Sequence, residues 1–192
     1  MIDKDSVIEK VRQAYATFRT FRCRGTLRRT IETDTRIESE FGMRLGFARP
    51  KNMFLEWWSK EARENKRRTV IATEAGFTEC SFYDFEWERG DDVEDILASH
   101  AGISQGLSSQ IPSLLLGLEY YRLFDGIERV ERISDQLGDG YLLSGGDSAC
   151  GRSVRVRAAD WVVLGVKERF HIATGRVECE SEYTDILVGL EG

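Results

Sequence analysis

Hydrophobic positions recur at helical spacing near the start of the chain, where Val7, Val11, Ala14 and Phe18 share one face with Ile8 and Tyr15 beside them. Ser6 and Glu9 stand as an S-x-x-E capping box, so a helix is predicted over residues 5–20. From Phe21 the period changes to two. Phe21, Cys23, Gly25 and Leu27 fall on one side and Arg22, Arg24, Thr26 and Arg28 on the other, which is the pattern of a half-buried strand. The next strand alternates more clearly: Ile37, Ser39, Phe41, Met43, Leu45 and Phe47 share a face, and Glu38, Glu40 and Arg44 share its opposite. The outer carboxylates Glu38 and Glu40 are expected to pair with the arginines of the preceding strand.

Further strands are predicted at 53–58, 67–73 and 77–83, after the turn-prone Arg49-Pro50-Lys51-Asn52 and with a hairpin at Gly76. The period then breaks. Asp92 to His100 and Ser113 to Leu116 read as helical pieces of an insertion joined by a Gly- and Ser-rich link. Strands resume at about 127–134, 140–144, 153–158, 161–172 and 176–187, with Val162, Leu164, Val166 and Phe170 alternating against polar partners. No repeat or linker divides the chain, so residues 1–192 are read as a single domain. The order of elements predicts an α+β fold: a strongly curved antiparallel sheet, a half-open β-barrel, with an N-terminal helix and a central helical insertion closing its concave face.

Composition narrows the function. A net charge of −6 offers no general field for a polyphosphate, in spite of the local cluster Lys60, Lys66, Arg67 and Arg68, so nucleic acid is not an expected partner. The longest nearly apolar run, Ile111 to Leu118, is far too short to span a bilayer and is broken by Pro112, Ser113 and Gly117. Met-Ile-Asp-Lys-Asp has no positive n-region followed by an apolar h-region, so the expectation is either a cytosolic protein or a leader removed before the numbering begins. Cys23, Cys80, Cys150 and Cys179 include no C-x-x-C pair, which argues against zinc and thioredoxin-type chemistry and leaves the disulfide state open.

Several residues have the look of chemistry. Gly102-Ile103-Ser104-Gln105-Gly106 matches G-x-S-x-G, and Asp160 and His171 follow in the chain order of a hydrolase triad. The required buried strand before the serine and the alternating βαβ pattern are both missing. Gly146-Asp147-Ser148 lies in a stretch whose small residues predict a hairpin turn. His100 and His171 are too far apart for a local ligand pair, and Glu178, Glu180 and Glu182 describe a solvated outer face, so no metal, cofactor or catalytic residue is assigned. An apolar hollow between sheet and helices would suit an acyl chain, each buried methylene being worth roughly 0.8 kcal/mol. The plain alternative is that Phe41, Met43, Leu45 and Phe47 form an ordinary core.

Leu45-Gly46-Phe47-Ala48-Arg49-Pro50-Lys51-Asn52-Met53-Phe54 resembles the lipoprotein carrier family typified by LolA and LolB, in which a strand ends in an Arg-Pro turn and an aromatic-rich strand follows. The opening helix, the Gly76 hairpin, the insert ending Ile111-Pro112-Ser113-Leu114-Leu115-Leu116 and the closing strands from Trp161 to Ile186 fall in similar order. The resemblance implies a half-barrel closed by helices that accepts lipoprotein acyl chains in the periplasm, and an Arg49 that hydrogen-bonds to the helical lid.

The reading that follows is a non-enzymatic carrier or sensor of a lipid, acyl chain or lipoprotein. Phe41, Met43, Leu45, Phe47, Leu164 and Phe170 are its candidate ligand-binding residues and Arg49 holds the lid. An envelope protein partner and a periplasmic or envelope address belong to the same expectation. The alternatives are a serine hydrolase using Ser104 and a protein-interaction module with an inert interior.

Overall fold

In the computed structural model the helix α1, Lys4–Thr17, begins at Asp3, whose carboxylate accepts from the backbone N–H groups of Asp5 (3.3 Å) and Ser6 (3.2 Å). The cap therefore lies three residues before the expected one at Ser6, and Glu9 accepts from Gln13 instead of reaching back. A carboxylate serves this position well because it meets both the unpaired N–H groups and the positive end of the helix dipole. The structure describes residues 2–61, 67–74, 78–81, 87–90, 92–101, 104, 106–118, 122–147 and 149–190, with the backbone alone at 78–81, 87–90, 100 and 101. The Gly76 hairpin lies outside them.

Strands β1 (Thr20–Glu32), β2 (Arg36–Ala48), β3 (Asn52–Ser59), β4 (Arg67–Ala72), β5 (Thr78–Ser81) and β6 (Trp87–Gly90) form one meander. Helices α2 (Val93–Ala101) and α3 (Gln110–Leu116) follow. A second meander comprises β7 (Arg129–Asp135), β8 (Gly138–Gly146), β9 (Gly151–Arg157), β10 (Val163–Ile172) and β11 (Gly175–Gly189). The first and last strands, β1 and β11, pair along most of their length and join the two meanders into one antiparallel sheet of order β6-β5-β4-β3-β2-β1-β11-β10-β9-β8-β7. Among the described residues β6 and β7 remain its two edges, so the sheet is open, and the α+β class read from the sequence is the one observed.

Register fixes two faces. Val188, Phe21, Phe47, Met53 and Ala72 stand side by side across five strands, and Tyr183, Gly25, Met43 and Trp57 form a second such row. This inner face carries the core with Val7, Ile8, Val11, Tyr15 and Phe18 of α1 and Ile111 and Leu115 of α3. Burying so many large apolar side chains, at roughly 1.5–3 kcal/mol each, supplies the main force holding helices to sheet. Gly25 leaves room for Met43 and Tyr183: a methyl group there would stand 2.8 Å from Met43 Cγ and 3.1 Å from the Tyr183 ring.

The opposite, outer face is polar, with different pairs from those expected. Glu40 pairs with Lys60 and Glu38 with Arg36 of its own strand, rather than with the β1 arginines. Glu178, from the acidic triplet, is held by Lys167 (2.8 Å) and Arg169 (2.6 Å), and hydrogen bonds from these cations keep its carboxyl below the usual range.

Candidate functional site

A helical cover is positioned over the inner face by polar ties as well as by packing. At the β2–β3 turn, Arg49 Nη2 donates to the Tyr15 carbonyl (2.9 Å) and Nε to the Phe18 carbonyl (3.0 Å). These carbonyls belong to the last turn of α1 and its C-cap, where no intrahelical N–H is available and the helix dipole favours a cation. The same guanidinium lies 5.5 Å over the ring of Phe47. Arg49 therefore joins α1, the strand turn and one of the candidate ligand residues. The Arg49-Pro50 bond is cis.

Three further ties hold the cover. The Tyr15 hydroxyl accepts from the Val163 backbone N–H (3.1 Å), linking α1 to β10, and complete burial raises its pKa far above the ordinary tyrosine value. Tyr183 of β11 donates to Gln110 at the start of α3. Arg152 of β9 donates to the carbonyls of Arg122 (2.8 Å) and Leu123 (3.1 Å) while pairing with Glu168 (2.6 Å), which anchors the segment after α3. Replacing Tyr15 by phenylalanine leaves the buried Val163 N–H without this acceptor. A loss of about 1–2 kcal/mol in unfolding free energy is expected, readable by urea titration.

Between these elements lies a half-open hollow of about 560 Å³, bordered by Arg12 and Ala16 of α1, Leu114 of α3, Leu118, Arg122 and Phe124, with Arg49 in its wall. Its walls mix leucines with Arg12, Arg49, Arg122 and Asp125, and Gly117, in the left-handed region at φ 69°, ends α3 so that Leu118 can turn back. Such a volume falls within the ~300–1,000 Å³ of small-molecule sites.

The sequence-chosen ligand residues distribute unevenly about it. Met43, Leu45 and Phe47 line the inner face but are only 1–4% exposed, sealed beneath the cover, so at these residues the space expected under the helices is filled by the protein itself. Phe41 is half-buried, with the Arg29 guanidinium 5.9 Å from its ring. Leu164 leaves the inner row because an irregularity between Val163 and Gly165 lets Val163 face Val156, and Leu164 is only partly buried. Phe170 pairs with Val177 beyond the reach of the helices and is 40% exposed.

The three residues of the hydrolase pattern each have surroundings of their own. Ser104 is fully buried, its hydroxyl donating to Ser108 Oγ (2.8 Å) and accepting from the Ser108 N–H (3.0 Å), while Ser108 donates to the Leu97 carbonyl (3.1 Å). This serine pair ties the α2–α3 link together. Residues 102, 103 and 105 of the pentapeptide lie outside the described residues, as does Ser148 of the Gly146-Asp147-Ser148 motif. Asp160 is held by Arg157 through two bonds of 2.8 and 2.7 Å, and His171 is exposed near the end of β10. Cys23 and Cys179 are buried on the inner face, where desolvation pushes their thiols up to about 12 and about 11, and Cys150 is exposed; all three are free.

Sequence reasoning did not single out Arg152, the Tyr15 hydroxyl or the Tyr183–Gln110 pair. Each ties the helical cover to the sheet across 29 or more positions, for which no local pattern exists.

No family model matches the chain, and no curated protein matches it. Similar solved structures include MucB in the MucA/MucB complex of Pseudomonas aeruginosa, 11% identical with a TM-score of 0.48, covering 100% of this chain and 59% of that one. An uncharacterized conserved protein from Thermus thermophilus is 9% identical with a TM-score of 0.47, over 98% of this chain and 88% of the other. The chain thus spans well under two thirds of the MucB chain. A LolA superfamily protein from Nitrosomonas europaea is 10% identical with a TM-score of 0.38, over 100% and 96% of the two chains.

Proposed function

We propose that the protein is a carrier or sensor for a lipid-like ligand, whose acyl chain enters at the hollow between α1 and α3 and spreads over the inner face as the cover moves. The observation that carries this reading is Arg49, which fastens the end of α1 to the sheet by two hydrogen bonds and borders the hollow at the same time. Most of the force holding α1 down is non-directional apolar contact, which an acyl chain can replace nearly one for one as it displaces the helix. The directional ties described are few: Arg49 and Arg152 end on main-chain carbonyls of the cover, Tyr15 accepts from the Val163 N–H and Tyr183 donates to the Gln110 side chain. A cover held this way opens by breaking a handful of bonds at its margin.

The binding residues in this reading are Phe41, Met43, Leu45 and Phe47 on the inner face, with Leu164 and Phe170 at its periphery and Arg49 as the latch. A lipoprotein acyl chain, a periplasmic or envelope address and an envelope protein partner are proposed with it, on the sequence resemblance. The hydrolase alternative is not favoured, because Ser104 is buried and hydrogen-bonded to Ser108, Asp160 is held by Arg157 and His171 is exposed near the end of β10. Native mass spectrometry of the protein mixed with a single-chain phospholipid below its micelle concentration tests the proposal. A one-to-one adduct that persists on dilution supports it; an unadducted protein at every lipid concentration overturns it.

A further inference from the structure

Among the described residues the outer face of the sheet is polar along most of its length, and one cross-strand row carries exposed apolar side chains. Leu187, Arg22, Gly46, Phe54 and Ile71 stand in one cross-strand row over β11, β1, β2, β3 and β4. Leu187 and Phe54 are 57% and 41% exposed and stand on either side of Arg22 and Gly46, with Ile71 directly beside Phe54, on a face that otherwise carries charge. At the centre of the row Gly46 leaves a gap: a methyl group there would meet nothing within 4 Å. A hollow of about 670 Å³ lies over this row and the adjoining Ala48 and Thr73, and a second of about 670 Å³ continues from it toward Arg24, Arg44 and Asp185.

The two ends of this groove differ in charge. Arg24 and Arg44 are direct cross-strand partners, an arrangement in which like charges repel, and Arg22 follows two residues along the same face. Asp185 answers only one of them, at 3.5 Å from Arg24. Glu56, on the other side of Arg44, is paired with Arg67 at 3.3 Å, and Arg44 stacks 5.7 Å over Trp58. The result is an apolar trough opening on a cluster of guanidiniums that a single anion would relieve. Since the groove lies in the middle of the sheet, its backbone groups are already paired, so a β-strand could not dock by edge pairing.

We propose that this groove is a second ligand site, for a single-chain anionic amphiphile, with its tail over Gly46 between Phe54, Ile71 and Leu187 and its carboxylate on Arg22, Arg24 and Arg44. It lies on the opposite side of the sheet from the hollow between α1 and α3 and does not rest on the function proposed for that hollow.

Titration of the full chain with cis-parinaric acid, whose fluorescence rises on leaving water, tests the site. Gly46→Leu fills the trough at a position that requires no left-handed backbone, so its thermal midpoint is expected to be unchanged or higher. One saturable site is expected to weaken at least tenfold in Gly46→Leu and in the double variant Arg24→Gln/Arg44→Gln. The methyl ester is expected to bind this site at least tenfold more weakly than the acid, and Arg49→Leu to leave the site intact. A folded Gly46→Leu that binds parinaric acid with wild-type affinity and stoichiometry overturns the proposal, as does equal binding of acid and ester at the site lost in that variant. Loss of a different site in Arg49→Leu alone would bear on the inner face and leave this groove untouched.

Discussion

Phe21→Ala is expected to lower the unfolding free energy by about 3–5 kcal/mol, the usual cost of truncating a fully buried aromatic ring. Phe21 is 1% exposed and stands where α1 meets the sheet, with ring centroids 5.6 Å from Tyr15 and 6.0 Å from Phe18, which are themselves 5.1 Å apart. Removing it opens a cavity that the surrounding strands cannot close, because Phe21 lies between Phe47 and Val188 in a sheet whose register is fixed on both sides. At about 2–4 °C per kcal/mol for a chain of this size, the thermal midpoint should fall by on the order of 10 °C. Differential scanning calorimetry reads the shift. A loss below about 1 kcal/mol would mean that the aromatic cluster does not bind α1 to the sheet as described.

Arg49→Leu is expected to cost about 2–3 kcal/mol, and its effect should be local as well as global. The substitution keeps an apolar stem beside Phe47 but removes both donors to the end of α1, leaving the Tyr15 and Phe18 carbonyls without their charged partner. Arg49 is only half-buried, so water replaces part of what is lost, which keeps the expected cost below the sum for two buried charge-assisted bonds. Amide exchange in α1 should accelerate more than exchange in β1 or β11, since the sheet's own ladders are untouched. Equal acceleration across helix and sheet would show that Arg49 supports the fold as a whole and is not a latch.

How much of this was legible beforehand differs by element. The alternation of Phe21 to Leu27 and of Ile37 to Phe47 located β1 and β2 and their buried sides, because two long strands with one wet face leave an unambiguous period in the sequence. β6, only Trp87–Gly90, is too short to show a period and was not predicted. The α1 cap was misplaced because Asp3 and Ser6 both suit the role, and only the geometry decides between them. Leu164 was assigned to the inner face on strict alternation, which a one-residue irregularity in β10 breaks. Phe170 keeps the expected parity, but how far a helical cover extends along a strand is a tertiary fact. Arg49 was singled out through family resemblance alone, and no local pattern says that a turn arginine will reach a helix 31 to 34 residues away. No local pattern marks the outer row, because its apolar side chains Leu187, Phe54 and Ile71 lie on three different strands, one residue from each.

The reading of the inner face depends on an acyl chain coming to lie against residues that α1 and α3 now cover. Trp57 reports on this directly: it faces the core at 2% exposure, opposite Met43 in register, whereas its neighbour Trp58 belongs to the outer face. In a variant with Trp58, Trp87 and Trp161 replaced by phenylalanine, an acyl chain brominated near its middle should quench the remaining Trp57 fluorescence in a saturable manner, while the same chain without bromine should not. Fluorescence of Trp57 that is indifferent to bromine, at concentrations where the lipid is bound, would contradict an inner-face ligand.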